Sequence, residues 1–276
     1  MKKLLFFDID GTLAHPGQAP GRDTADAIRR ARRNGHMAFL STGRTADSIP
    51  EPVRAIGFDG GIFSAGGLVV LEDRVIASFR MDPGRLERIR SLLERMPVLY
   101  ALETPEGRFS GGDPHRILEL ADLTGTGPEL RKLTREILFD PGFRPMEQYS
   151  GQPVFKIAYH CPGRAEAAAL AAGLEGIAHV VPFDNIPGLP IAIGEISDPM
   201  IHKGNALKAV CAHLGRTAED CIAFGDSMND AQILSAAGVG IAMGNADPRL
   251  KAMADLVCDR CENDGIAKAL AELGLI

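Results

Sequence analysis

The chain has 276 residues, a formal charge of −6 and an isoelectric point near 5.7. Its acidic balance argues against nucleic acid or an anionic membrane as a main partner, and no apolar run approaches the roughly 18 residues that span a bilayer. The length exceeds the usual size of one core and suits two domains. Five cysteines, an odd number, suit a reducing cytoplasm. Met1-Lys2-Lys3 and the apolar residues after it imitate a leader only until Asp8 and Asp10 break the run.

The first predicted element is the most informative. Leu4-Leu5-Phe6-Phe7 runs into Asp8-Ile9-Asp10-Gly11-Thr12, an apolar strand over 4–9 closed by a turn. Carboxylates at i and i+2 share one face of a strand. Two like charges there are costly unless a cation neutralises them. A helix is predicted over 23–34, with Thr24 as its cap, Ala25, Ile28 and Ala31 at helical spacing, and Gly35 as its stop. The one dense basic run, Arg29-Arg30-Ala31-Arg32-Arg33, reads as a solvated face of that helix. A strand over 37–42 then ends in Ser41-Thr42-Gly43-Arg44. A hydroxyl and backbone N–H groups at a strand-to-helix turn can cradle an anion, although Ser-Thr-Gly is equally an ordinary turn and cap. A helix over 45–56, a strand over 61–64 and a hairpin over 68–76 follow.

Asp82-Pro83-Gly84 punctuates the chain and is read as a hinge. Beyond it, a helix places Leu86, Ile89, Leu93 and Met96 on one stripe. Strands near 98–103, 153–160, 178–182 and 190–196 alternate with helices near 114–122, 128–138 and 163–174. This reads as a second α/β unit over 82–192, inserted into a first unit made of 1–81 and 193–276. The first unit resumes with Lys203 at the entrance of a helix over 204–214. A strand over 221–225, a helix over 230–237, a strand over 239–243 and two closing helices complete it. Strands alternating with helices favour a parallel sheet.

The strand 221–225 ends in Gly225-Asp226-Ser227-Met228-Asn229-Asp230, so the opening pattern returns. Ligands in open α/β sheets bind beyond the carboxyl ends of the strands. Two strand-end acid clusters on neighbouring parallel strands would converge on one site. Oxygen ligands without His or Cys point to a hard cation, Mg²⁺ first.

Four motifs in this order resemble the haloacid dehalogenase superfamily, and within it the Cof-type branch of Mg²⁺-dependent phosphatases with a large α/β cap. They are Asp8-Ile9-Asp10-Gly11-Thr12, Ser41-Thr42-Gly43-Arg44, Lys203-Gly204 and Gly225-Asp226-Ser227-Met228-Asn229-Asp230. The tail, Asp255-Leu256-Val257 through Glu262-Asn263-Asp264-Gly265-Ile266-Ala267, is also similar. Ser64-Ala65-Gly66-Gly67 departs from the Asn-Gly-Ala usual after the third strand of that branch. The resemblance implies a Rossmann-like, doubly wound parallel core with an inserted α/β cap. It implies Asp8 as a nucleophile that forms an aspartyl-phosphate and Asp10 as general acid and base. Thr42, Gly43 and Lys203 would grip the phosphoryl group. Mg²⁺ would sit on Asp8, the Asp10 carbonyl and Asp226, with Asn229 and Asp230 in support; Arg44 either lines the entrance or is a solvated helix residue.

The expected substrate is a small phosphorylated metabolite, with a lean toward sugar phosphates because Trp is missing and aromatics are few. The expected state is a monomer or small homo-oligomer in the cytoplasm. A phosphomutase and a phospho-accepting signalling module use the same acids, Thr and Lys; the second is normally a single domain of roughly 120 residues. Arg108, His115 and Asn185 are the candidate cap contacts. Cys258-Asp259-Arg260-Cys261 has CxxC spacing but no second pair beside it for a zinc site. It reads as two loop thiols.

Overall fold

The computed structural model describes residues 2–183 and 186–276, which form two compact units, 1–79 with 200–276 and 80–199. The first unit opens with β1 (Leu4–Phe7), α1 (Arg22–Arg33), β2 (Met37–Ser41), α2 (Glu51–Arg54), β3 (Gly60–Phe63), β4 (Leu68–Leu71) and β5 (Arg74–Ser78). In the second lie α3 (Pro83–Leu93), β6 (Leu99–Thr104), β7 (Gly107–Gly111), α4 (Pro114–Leu120), α5 (Pro128–Leu138) and β8 (Phe143–Pro145). It continues with β9 (Lys156–Cys161), α6 (Arg164–Gly173), β10 (His179–Phe183) and β11 (Ala192–Ser197). The first unit then resumes with α7 (Lys203–Leu214), β12 (Cys221–Gly225), α8 (Ala231–Ala236), β13 (Val239–Ala242), α9 (Pro248–Met253), β14 (Leu256–Val257) and α10 (Gly265–Glu272).

The sheet of the first unit runs β14-β13-β12-β1-β2-β3-β4-β5. Every pairing from β14 to β3 is parallel, whereas β3-β4-β5 is the antiparallel hairpin extension expected from the sequence. β1 is central and pairs with β2 on one side and β12 on the other. Its four residues are all buried, as a strand covered on both faces requires. Phe6 stacks on Phe39 and Phe7 on Phe224, with centroids 5.0 Å apart in each case, which ties the three central strands together. The chain winds to one side of β1 through β3 and returns on the other with β12. The strand order therefore reverses between β1 and β12, where a doubly wound sheet opens its ligand crevice.

The second unit is not parallel. Its sheet runs β10-β11-β9-β6-β7-β8, and only β7-β8 is parallel. A separate apolar cluster of Leu99, Ile117, Ala121, Leu138 and Ile191 lies within it. β11 pairs with β9 and β10, so the second crossing falls after Pro199 and not at the expected 192.

Other differences have local causes. The helix expected over 45–56 breaks into a 3-10 turn, Ala46–Ser48, and the single turn of α2. Pro50 has no N–H to continue a helix and sits at the α2 N-cap. α1 starts two residues before Thr24, behind Gly21, and Thr24 is buried with its hydroxyl donating to Asp264. β7, β8 and β14 were not expected. β7 begins and ends in Gly, and the other two are three residues or fewer. In the basic run, Arg32 is no solvated charge: it grips Asp59 through two bonds of 3.0 and 2.6 Å.

Candidate active site

The carboxyl ends of β1 and β12 bring together the acids that the sequence separates. Asp8 follows the last residue of β1 and is buried. Its N–H donates to the Phe224 carbonyl of β12 at 3.2 Å, so the ladder itself holds the two strand ends in register. Asp226 follows β12. One carboxylate oxygen each from Asp8, Asp226 and Asp230 lies within 4.8 Å of the others.

Lys203 crosses 195 positions of sequence to reach this cluster. Its Nζ donates to Asp8 Oδ1 at 2.8 Å and to Asp230 Oδ1 at 2.5 Å, and Asn229 Oδ1 stands 3.5 Å away. The ammonium is fully buried, a position affordable only for a paired charge. Burial pushes it toward losing its proton, but Asp230 and Asp8 outweigh that and hold it above its ordinary range. Asp230 is equally buried. Its second oxygen accepts from the N–H groups of Asp226 and Ser227 at 3.1 and 3.2 Å. Asp230 therefore fixes the Asp226 backbone and Lys203 together.

Three carboxylates around one ammonium leave the site short of positive charge. Burial raises Asp226 to about 6, and neighbouring Asp230 pushes the same way against the Thr12 hydrogen bond. Burial likewise raises Asp8, with Asp230 and Asp226 adding to it and Lys203 opposing. Both shifts are the signature of anions held close without enough countercharge. The donor set of carboxylates alone suits a hard divalent cation that would reverse those shifts. Gly11 makes room for the Asp226 carboxylate. Its φ is +88°, and a Cβ there would lie 2.2 Å from Asp226 Oδ2, so no other residue fits without displacing that carboxylate. Thr12 Oγ1 donates to Asp226 Oδ1 at 3.1 Å.

The second acid of the opening motif points elsewhere. Asp10 accepts two bonds of 2.7 Å from Nε and Nη2 of Arg44, a bidentate pair about one-third exposed. Thr42 is buried, and its hydroxyl accepts from the Arg44 N–H at 3.1 Å. A Cβ on Gly43 would meet open space. Arg44 also holds the unusual turn after β3, its carbonyl accepting from Ser64 N–H at 2.9 Å. Ser64 and Ala65 adopt φ of 49° and 57°, left-handed values that cost a non-glycine residue about 1–2 kcal/mol. Gly66 follows at φ +112°, where a Cβ would sit 2.4 Å from the His202 carbonyl carbon. The turn is thus wedged against the start of α7, which carries Lys203.

A profile of haloacid dehalogenase-like hydrolases matches residues 5–270. The chain belongs to that family. YkrA of Bacillus subtilis (strain 168) is 28% identical over 279 residues, covering 99% of this chain and 98% of that protein. The HMP-PP phosphatase of Cronobacter sakazakii (strain ATCC BAA-894) is 27% identical over 276 residues, covering 98% and 95%. Among solved structures, the haloacid dehalogenase superfamily phosphatase BT1666 from Bacteroides thetaiotaomicron superposes with a TM-score of 0.80 at 24% identity, covering 100% of this chain and 96% of that one. At that identity the likeness speaks for the fold.

As a haloacid dehalogenase-like hydrolase, the chain gathers Asp8, Lys203, Asp226, Asn229 and Asp230 in one cluster and joins Asp10 to Arg44 beside Thr42 and Gly43. Among the described residues, Asp8, Asp226 and Asp230 are the grouping of three side chains able to share a metal; Cys258 and Cys261 join none. Burial pushes both thiols up to about 11, which leaves them poor ligands and nucleophiles at neutral pH. In the second unit, Arg108 pairs with Asp140 at 2.9 Å over the Phe143 ring, and His115 packs edge-on against Phe139. Asn185 lies outside the described residues. No described helix is long and apolar enough to cross a membrane.

Two site residues carry no signal that sequence reading could use. Thr12 stands in the opening motif, yet its partner is 214 positions away. Asn245, after β13, donates from Nδ2 to the Gly11 carbonyl at 2.7 Å.

Proposed function

We propose that the chain is a Mg²⁺-dependent phosphatase of small phosphomonoesters that works through an aspartyl-phosphate on Asp8. The observation that carries this reading is the buried Lys203 bridge between Asp8 and Asp230, with Asp226 alongside at the switch point of the sheet. A lysine has three donors; two are spent on carboxylates, and the third, which meets only the Asn229 oxygen at a long 3.5 Å, would turn to a phosphoryl oxygen. Asp8, the Asp10 carbonyl and Asp226 would hold the cation, which when bound screens the repulsion between Asp8 and an anionic substrate and polarises the phosphoryl group.

The Asp8 carboxylate attacks phosphorus as the ester oxygen leaves, and Asp10 gives that oxygen its proton. Water then attacks the aspartyl-phosphate and passes a proton to Asp10. Inorganic phosphate departs and Asp8 is restored. Asp10 must take up a proton before the first step, and that proton is incompatible with its bidentate bond to Arg44. Proton uptake by Asp10 therefore goes with release of the Asp10–Arg44 pair. Thr42 and the Gly43 N–H contribute to the phosphoryl cradle, and Asn229 and Asp230 orient Lys203. The inserted unit, 80–199, serves as the cap that selects the leaving group, with a sugar phosphate the favoured class.

A panel of phosphorylated metabolites assayed with Mg²⁺ for released phosphate tests the reading. Asp8→Asn is expected to abolish turnover on every substrate. Full turnover by that variant, or a product in which the phosphoryl group returns to substrate, would overturn it.

A further inference from the structure

The loop after β13 carries a side chain that the chemistry above leaves unused. The Asn245 amide makes two directed bonds. Its Nδ2 donates to the Gly11 carbonyl at 2.7 Å, and its Oδ1 accepts from the Cys261 N–H at 3.0 Å. A backbone carbonyl only accepts and a backbone N–H only donates, so the orientation of the amide is fixed by its partners. Asn245 thus ties the turn after β1 to the loop before α10.

What Gly11 touches gives this bond its consequence. Its Cα packs so closely on Asp226 that any Cβ would strike Oδ2, and the next residue, Thr12, donates to Oδ1. Both carboxylate oxygens of Asp226 are therefore framed by the Gly11-Thr12 turn. Two residues beyond Asn245, the Asp247 N–H donates to the Asp226 backbone carbonyl at 2.8 Å. Residues 245–247 thus grip Asp226 from two directions, through its own backbone and through the turn that frames its carboxylate. Among the described residues, nothing else in the cluster does this. Lys203 and Asp230 hold Asp8 and the Asp226 amide, leaving the carboxylate to Gly11 and Thr12.

We propose that Asn245 is a positioning residue for the cation site, setting magnesium affinity by fixing the Gly11-Thr12 turn against Asp226. The inference rests on the reading of Asp8 and Asp226 as the carboxylates that hold Mg²⁺. Partners that orient metal ligands are worth about 10–100-fold in affinity or activity when removed. Asn245 is half-buried in a loop, so its truncation hollows no core.

Calorimetric titration of magnesium chloride into the metal-free full chain at pH 7.5 provides the test, with melting curves of the metal-free proteins beside it. Asn34→Ala is the control, because Asn34 makes the same kind of bond, Nδ2 to the Leu275 carbonyl at 3.0 Å, away from the carboxylates. Asn245→Ala is expected to weaken magnesium binding at least 10-fold, whereas Asn34→Ala binds within twofold of wild type, even with a similar fall in melting temperature. Asn245→Ser, too short to reach Gly11, is read in the same way should the alanine variant not fold. A folded Asn245 variant with wild-type affinity overturns the inference. A wild-type chain that binds no magnesium overturns instead the reading on which it rests.

Discussion

Each unit buries a lysine between carboxylates, and the two arrangements differ in how they are made. In the second unit, Lys156 on β9 meets Glu103 of β6 at 3.4 Å and Glu195 of β11. Glu103 is its register partner on the adjacent strand, so ordinary sheet pairing supplies the contact. In the first unit, Lys203 reaches from the start of a helix to acids beyond two strand ends, and none of its partners is a ladder neighbour. Burial raises Glu103 as it raises Asp8. Among the described residues, the first arrangement also gathers a further carboxylate, Asp226, beside the acids that the lysine binds. An ion cluster inside a sheet can be local bookkeeping of charge; one assembled from distant segments at a sheet's opening lies where doubly wound sheets take their ligands.

The largest expected effect separates the two lysines. Lys203→Met should lower kcat/KM by about 10²–10³-fold on the best phosphomonoester. Lys156→Met should leave phosphate release within about tenfold while lowering stability by roughly 3–5 kcal/mol, the usual result of stranding buried charges, as read by urea denaturation. Equal losses of activity would erase the distinction. Asp226, raised to about 6, sharpens it through pH. A carboxyl raised above its unfolded value binds its proton more tightly in the folded chain, so stability falls as pH rises between the two values. The metal-free protein should therefore lose melting temperature between about pH 4 and 6 from this group. Magnesium, which competes with those protons, should raise the melting temperature at pH 7.5 more than at pH 5. A shift that is the same at both values would detach Asp226 from the metal.

The smallest effect concerns the turn after β3. Ala65→Gly removes the left-handed cost at φ 57° and should stabilise the chain by about 1 kcal/mol, read as a higher denaturation midpoint with kcat unchanged within twofold. A lower midpoint would mean that the methyl group contributes more than its backbone costs.

The chain's sequence makes some of this legible and hides the rest for physical reasons. Strand ends announce themselves where apolar runs stop at acids, as at Asp8 and Asp226, because burial and charge change within one residue. The parallel core was legible for the same reason, since β1, β2 and β12 are continuous apolar runs. The second unit misled because its helices lie between strands that pair antiparallel, and alternation alone does not report pairing direction. The Asp10–Arg44 pair depends on where side chains meet after folding, which spacing does not encode. Asn245 was invisible because its partners are backbone groups of Gly11 and Cys261, which any sequence would supply.

The central position of β1 has a consequence for synthesis. A ribosome delivers β1 and β2 before β12, and the flank of β1 that β12 will cover stays bare until the more than two hundred residues between those two strands have emerged. Long-range parallel pairing of this kind is slow, and an uncovered apolar strand invites wrong partners meanwhile. The nascent protein therefore holds Asp8, the proposed nucleophile, on an unfinished edge until β12 has been made.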